Sequence, residues 1–441
     1  MNGTWAMFSC RKKEKCGKVL IFSATADIMT ELKSYGDVPK RLKGPDSKSG
    51  RRVLPVLGFE SPHLRQKVRR SFEGTTADFL LVKENQTILR ESHMNLDELY
   101  SRVSETISSL DFGRIWPGFR PLKFALYDDE KCFYDGMYIE KSDDFCANTS
   151  ISFQGEQIAI WKVVDDLPIP VLASKIVHEM FHGYQTVENW NCWADEMEAL
   201  YRYQYNADNL SLKLRENELL LRILDHFDEA SYQELLSHRK RRSERHPYEY
   251  AYESKVEEIE GTATYVEWMT LRQLDGQAAA AMTQRMRAAM TKPERLFPIR
   301  ISSYYSGALM VNALAASGAY SFNAAERPIA CSMLKTVCPS DGDFPERESC
   351  CRRVSDAITS FEETSERIIQ SAIKKNKVVL TGPLELLCIN IYDARFYKGY
   401  TTSRFFLMYR DESGEKMIPG NFVIEMADEK TISKVYEAPT M

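Results

Sequence analysis

Between Lys175 and Gln185 the chain reads KIVHEMFHGYQ, which sets His178 and His182 four positions apart with Glu179 directly after the first. On a helix, positions i and i+4 share a face, so both imidazoles can reach one ion while Glu179 addresses its bound water. Imidazole ligands with an open coordination position suit Zn2+, which draws the pKa of bound water toward about 7. A neighbouring carboxylate can then take the proton during attack on a carbonyl. The chemistry implied is metal-assisted hydrolysis. The competing reading is an amphipathic helix with two solvated histidines, and a third ligand separates the two.

Two downstream segments offer that ligand. ADEMEALYRY carries Glu196 and Glu198 soon after His182. EEIEGTATYVEW carries Glu260, followed by Gly261 and Ala263, which keep a helix slim where a second helix and a metal must pack close. On that ground Glu260 is the expected third ligand.

The stretch EGTATYVE, from Glu260 to Glu267, resembles the Asn-Glu-Gly-x-Ala-x-Tyr-Val-Glu motif of aminopeptidase N-type gluzincins, whose first glutamate binds zinc. YYSGALMVNAL (304–314) resembles that family's Tyr-x-x-Gly-Ala segment, whose tyrosine hydrogen-bonds the tetrahedral intermediate; the spacing to Gly307 selects Tyr304 over the adjacent Tyr305. The resemblance implies a zinc metallopeptidase in which His178, His182 and Glu260 hold Zn2+, Glu179 is the general base and Tyr304 stabilises the oxyanion. It also implies a zincin-like α+β fold, a small sheet lying over the active-site helix and binding an extended peptide or protein substrate at its edge strand.

The chain departs from the family in two places. Seventy-eight positions separate His182 from Glu260, which implies inserted helices over about 190–250. The Gly-Ala-Met-Glu-Asn signature that anchors a free amino terminus is absent, the strand before the helix reading QIAIWKV, so aminopeptidase specificity is not implied. The gluzincin clan fits better than any one family. Two other functions fit the same residues: a non-catalytic zinc-binding interaction protein that retains the fold, and a zinc hydrolase of another amide or ester.

The elements that must position these groups follow from hydrophobic period. Apolar residues at helical spacing mark helices at 94–110 and 171–187, through much of 194–274, and at 353–376. LKFALYD (122–128) reads as a strand, and NTSISF and QIAIWKV as a hairpin. At the C-terminus LELLCINIY, RFFLMYR and NFVIEMA are strand-like, with a turn at DESGEK. The expected fold class is therefore α+β. Its segments are a basic region 1–94, a catalytic domain 95–330, a helical segment 331–376 and a β unit 377–441.

At 441 residues, with 44% hydrophobic and 27% charged, the composition is that of a globular protein with more than one core. Residues 1–75 hold sixteen Lys/Arg against seven Asp/Glu, while the whole chain carries a net charge of -5. The basic region lacks interleaved aromatics or a binding motif, so it reads as a solvated flank rather than a nucleic-acid surface. HRKRRSERH (238–246) reads as an exposed interhelical loop. The apolar run at 306–322 is too short for a membrane span and reads as a buried helix.

The chain opens without the pattern of a secretory signal, and its ten cysteines are mostly scattered, so reduced thiols and a cytoplasmic location are expected. Cys331, Cys338, Cys350 and Cys351 lack the C-x2-C spacing of a zinc site. His226, His238 and His246 have no companion at i+3 or i+4 that would make them ligands.

Overall fold

The computed structural model describes residues 95–164, 167–318, 322, 326–337, 344 and 347–438. The basic N-terminal region and Cys338 lie outside the described residues. Grouped by contact, the chain forms two units. One takes in the described residues up to Asn189 together with Val266–Ala279; the other takes Trp190–Tyr265 and the chain from Ala280 onward. The segment 95–330 is divided between the two units, and the described residues of 331–376 and 377–441 fall in the second. The fold class is α+β, as expected.

The first unit opens with the helix Leu96–Ser108, whose Leu96, Leu99, Val103 and Ile107 bury one face. Five strands follow: β1 (Lys123–Tyr127), β2 (Cys132–Tyr134), β3 (Met137–Ile139), β4 (Thr149–Phe153) and β5 (Glu156–Lys162). Their order is β3-β2-β1-β5-β4, with β1 and β5 parallel and the remaining neighbours antiparallel. The expected hairpin is β4–β5, closed by Gln154 and Gly155 at φ 51 and 85, the left-handed pair a two-residue turn requires. β2 and β3 are additional. They are too short for alternation to register, although Asp135-Gly136 between them is a hairpin signal of the same kind.

The helix Ile169–Val187 packs against β1, β4 and β5 and is buried without a break from Leu172 to Gly183. Pro170 stands in its first turn, where a missing N–H costs nothing. A Cβ at Gly183 would fall against Leu122 and 2.8 Å from the Ser150 hydroxyl of β4, so the glycine lets the helix lie directly on the sheet.

In the second unit, Asp195, Asn206 and Asp228 accept the N–H of Glu198, Asn209 and Ser231 and so start the helices Glu196–Arg202, Ala207–Asp225 and Glu229–Arg245. Pro247–Val256 leads into a π-helical turn, Glu257–Gly261, and on into Thr262–Leu274, one continuous helix whose later part belongs to the first unit. Ile299–Ala316 holds most of the apolar run at 306–322 as a buried helix. Among the described residues no helix is long and apolar enough to cross a membrane.

After the helix Arg347–Lys375 comes a second sheet of β6 (Val378–Ile389), β7 (Phe396–Tyr397), β8 (Tyr400–Ser403), β9 (Phe406–Asp411), β10 (Gly414–Pro419), β11 (Phe422–Met426) and β12 (Thr431–Glu437). It is antiparallel throughout, in the order β10-β9-β6-β12-β11-β8-β7. β6, β9 and β11 correspond to the strands read from the sequence, and the other four are additional.

The run HRKRRSERH corrects its reading as an exposed loop. It forms the second half of the Glu229–Arg245 helix, and Arg239 and Arg242 are buried inside the unit. With Lys213 they face three buried carboxylates. Arg239 pairs with Glu257 and Glu216, Arg242 with Glu216 and Glu253, and Lys213 with Glu253 at 3.1 Å and Glu257 at 2.8 Å. Equal numbers of opposite charges allow these groups to stay inside, and removal of one partner from such a set costs about 3–5 kcal/mol.

Burial raises the Glu253 carboxyl, but Arg242, then Lys213 and the Tyr203 hydroxyl, outweigh it and hold the group below its usual range. A carboxylate depressed in the folded state contributes stability that is full above its unfolded pKa, roughly 4.3, and is lost as pH falls toward the folded value. Glu253→Gln is therefore expected to lower denaturant stability by about 3 kcal/mol at neutral pH, with the gap to the parent protein narrowing below about pH 4. An equal gap at both ends of a pH series of urea melts would contradict this.

Candidate metal centre

The two histidines are held by acceptors on their far sides. His178 Nδ1 lies 3.2 Å from Glu267 Oε2, and Lys175 Nζ lies 3.4 Å from the other oxygen of the same carboxylate. His182 Nδ1 lies 2.8 Å from Gln185 Oε1. An amide oxygen only accepts, so His182 Nδ1 carries that ring's hydrogen, and the Glu267 carboxylate facing His178 Nδ1 favours the same tautomer there, which leaves the Nε2 atoms with their lone pairs. The two Nε2 atoms face one another at 3.2 Å. Lone pairs at that distance repel, and a cation shared between them removes the conflict. Two nitrogens each about 2.0–2.1 Å from a tetrahedral Zn2+ stand roughly 3.3 Å apart, so the donor set fits that ion.

Glu179 follows His178 on the same helix and is 1% exposed, while His182 is wholly buried. Glu260 joins the histidines: one ligand atom from each of His178, His182 and Glu260 lies within 4.8 Å of the others, all three residues being buried.

Glu260 stands on the π-turn, and that turn aims three glutamates at three separate sets of partners. Glu257 reaches Lys213, Arg239 and the Ser306 hydroxyl, the last at 2.6 Å. Glu258 reaches Arg327 and, at 2.9 Å, the N–H of Ile329. Glu260 meets Arg300 Nη2 at 2.7 Å. The extra residue in the turn disturbs the carbonyl ladder, and the hydroxyls of Thr262 and Thr264 donate to the carbonyls of Glu258 and Glu260 there. Gly261 is required where the turn crosses the Ile299–Ala316 helix, because a Cβ on it would lie 2.5 Å from Gly307 Cα. The two small residues noted in the sequence near Glu260 and Tyr304 thus meet each other.

The rival carboxylates lie elsewhere. Glu196 pairs with the other end of the Arg300 guanidinium and accepts from the Tyr252 hydroxyl at 2.7 Å. Glu198 pairs with Arg202 at the surface. Tyr304, one turn beyond Arg300, accepts from Arg300 Nη2 at 3.1 Å. Burial raises the Tyr304 phenol well above its usual range despite the guanidinium, so it stays a neutral donor. Tyr305 is buried as well, and the shared Arg300 connects Tyr304 to Glu260. His246 is engaged by Asp208 at 2.9 Å, and burial lowers His238.

Of five further residues here, Lys175, Gln185, Arg300 and Tyr392 carry no motif in the sequence, and Glu267 is named there only as the last residue of EGTATYVE, without a role. Four of them follow local spacing: Lys175 and Gln185 stand three positions outside the two histidines, Arg300 four before Tyr304, and Glu267 seven after Glu260, two helical turns along. Tyr392, far away on the segment after β6, had no such signal. Comparison of the chain with protein-family models, with curated proteins and with solved structures finds no match.

Removing the acceptor behind a metal-binding imidazole typically weakens metal affinity about 10- to 100-fold. Glu267→Gln is expected to do so and Glu198→Gln to leave affinity unchanged, as read by competition with a chromogenic chelator. Equal affinities for the two variants would remove Glu267 from the centre.

Proposed function

We propose that the protein is a zinc-dependent peptidase of the gluzincin type, hydrolysing peptide bonds in a peptide or protein substrate. The observation that carries this reading is the pair of Nε2 atoms held face to face at 3.2 Å, with Glu179 on the intervening turn. His178, His182 and Glu260 would hold the ion. When bound there, Zn2+ makes water acidic near neutral pH and polarises a carbonyl oxygen.

The remaining steps belong to side chains of the chain itself. Glu179, one position after His178, takes the proton from the attacking water and passes it to the departing amine nitrogen. Tyr304 donates its hydroxyl hydrogen to the oxygen that gains negative charge, a role suited to a phenol that stays protonated. Arg300 holds Tyr304 and Glu260 in one arrangement through a single nitrogen. The outer edge of β4, which lies against the histidine helix and pairs with no further strand among the described residues, offers N–H and C=O groups to an extended peptide. A cytoplasmic setting suits the free cysteines among the described residues, Cys331, Cys350 and Cys351 included.

Glu179→Gln separates catalysis from metal binding. It is expected to retain stoichiometric zinc yet lose turnover by roughly 10²-fold or more, because an amide cannot accept the proton. The readout is digestion of a broad peptide library followed by mass spectrometry. Zinc-loaded parent protein that cleaves nothing in the library would instead favour a binding protein or a hydrolase of another bond.

A further inference from the structure

The helices between His182 and Glu260 bring six buried charges into the second unit. They are Lys213 and Glu216 on Ala207–Asp225, Arg239 and Arg242 on Glu229–Arg245, Glu253 on Pro247–Val256, and Glu257 on the π-turn. None of the six exceeds 4% exposure. Polar neighbours complete the set: Arg242 Nε donates to Asn209 at 2.8 Å, the Tyr203 hydroxyl to Glu253 at 2.6 Å, Arg239 Nε to the Tyr250 hydroxyl at 3.2 Å, and Lys213 to Ser306 at 2.9 Å. For stability alone an apolar core of the same volume would serve as well or better. What directional, paired charges add is a fixed register between elements.

The register at stake is that of the π-turn. Glu257 begins the turn and is gripped from three elements, by Lys213, by Arg239 and by Ser306. Gly261 ends it and is pressed against Gly307, one residue beyond Ser306 on the same helix. Glu258 between them is tied to Arg327 and the Ile329 N–H. With both ends and one interior residue held, the direction of Glu260 is set. The helix that supplies Ser306 and Gly307 also supplies Arg300, which meets the Glu260 carboxylate.

We infer that this buried charge cluster is a positioning device for Glu260: Arg239, Lys213 and Ser306 act on Glu257 to lock the π-turn, and through it they aim the third ligand. The inserted helices are thus part of the metal centre's construction. This inference rests on the reading of Glu260 as a metal ligand.

The test uses Co2+ as the probe, because its visible absorption reports ligand geometry directly and requires no turnover. Full-length parent protein, Glu257→Gln, Ser306→Ala and Arg245→Ala are each titrated with Co2+, and the same titrations are repeated in a Glu260→Ala background. Glu257→Gln is expected to weaken Co2+ binding about 10- to 100-fold and to shift the visible band, as supporting groups around a metal site do. Ser306→Ala should change both in the same direction by less. Arg245→Ala, which loses an exposed pair with Asp208, should change neither.

If the cluster works through Glu260, the effects of Glu257→Gln and Ser306→Ala vanish in the Glu260→Ala background. Effects that persist there, or folded variants with unaltered affinity and band, would overturn the inference while leaving the metal centre standing. Should Glu257→Gln fail to give a folded circular dichroism spectrum, the milder Ser306→Ala decides by the same criteria. A parent protein that takes up no Co2+ would sink the metal reading itself, and this inference with it.

Discussion

Two imidazole nitrogens, Nε2 of His178 and Nε2 of His182, are held 3.2 Å apart in the interior, with a carboxylate facing Nδ1 of the first ring and an amide oxygen accepting from Nδ1 of the second. In water the rings would turn away from each other. Here Glu267 and Gln185 fix their orientation, and Gly183 brings the helix that carries them down onto the sheet. Much of the surrounding construction follows from maintaining that opposition and adding a carboxylate to it. The Glu267 charge is itself met by Lys175, one turn before His178, so the helix supplies both the imidazole and the counter-charge of the carboxylate that faces it.

The second unit meets a related electrostatic demand. Carboxylates that must be ionised inside a protein need cations close by, because the cost of burying an unpaired charge exceeds what packing returns. Glu260 and Glu196 share Arg300, Glu258 has Arg327, and Glu253, Glu257 and Glu216 share Lys213, Arg239 and Arg242. The basic run between the histidines and Glu260 meets the acidic π-turn at Glu257, through Arg239, while its Arg242 is met by Glu216 and Glu253.

The local parts of this arrangement were legible in the sequence. His178, Glu179 and His182 declare themselves by spacing on one helix, and Gly261 and Gly307 mark a close crossing by the absence of side chains. The β4–β5 hairpin and three strands of the second sheet follow from alternation and turn residues. What lay hidden depends on partners distant in the chain. The burial of Arg239 and Arg242 contradicts the ordinary solvated reading of a basic run, because the compensating glutamates come from three other elements. The π-turn leaves no trace in hydrophobic period, since one extra residue shifts the pattern without breaking it. β2 and β3 are too short to alternate, and Tyr392 reaches Arg300 from a segment that pattern alone assigns to a separate β unit.

The central claim is that His178, His182 and Glu260 hold Zn2+, and zinc K-edge X-ray absorption of the zinc-loaded protein addresses it most directly. The expected result is one zinc per chain in a shell of nitrogen and oxygen only, with two imidazoles at about 2.0–2.1 Å, and loss of one imidazole's scattering in His182→Ala. A shell containing sulfur at about 2.3 Å, or a spectrum unchanged by His182→Ala, would contradict the account.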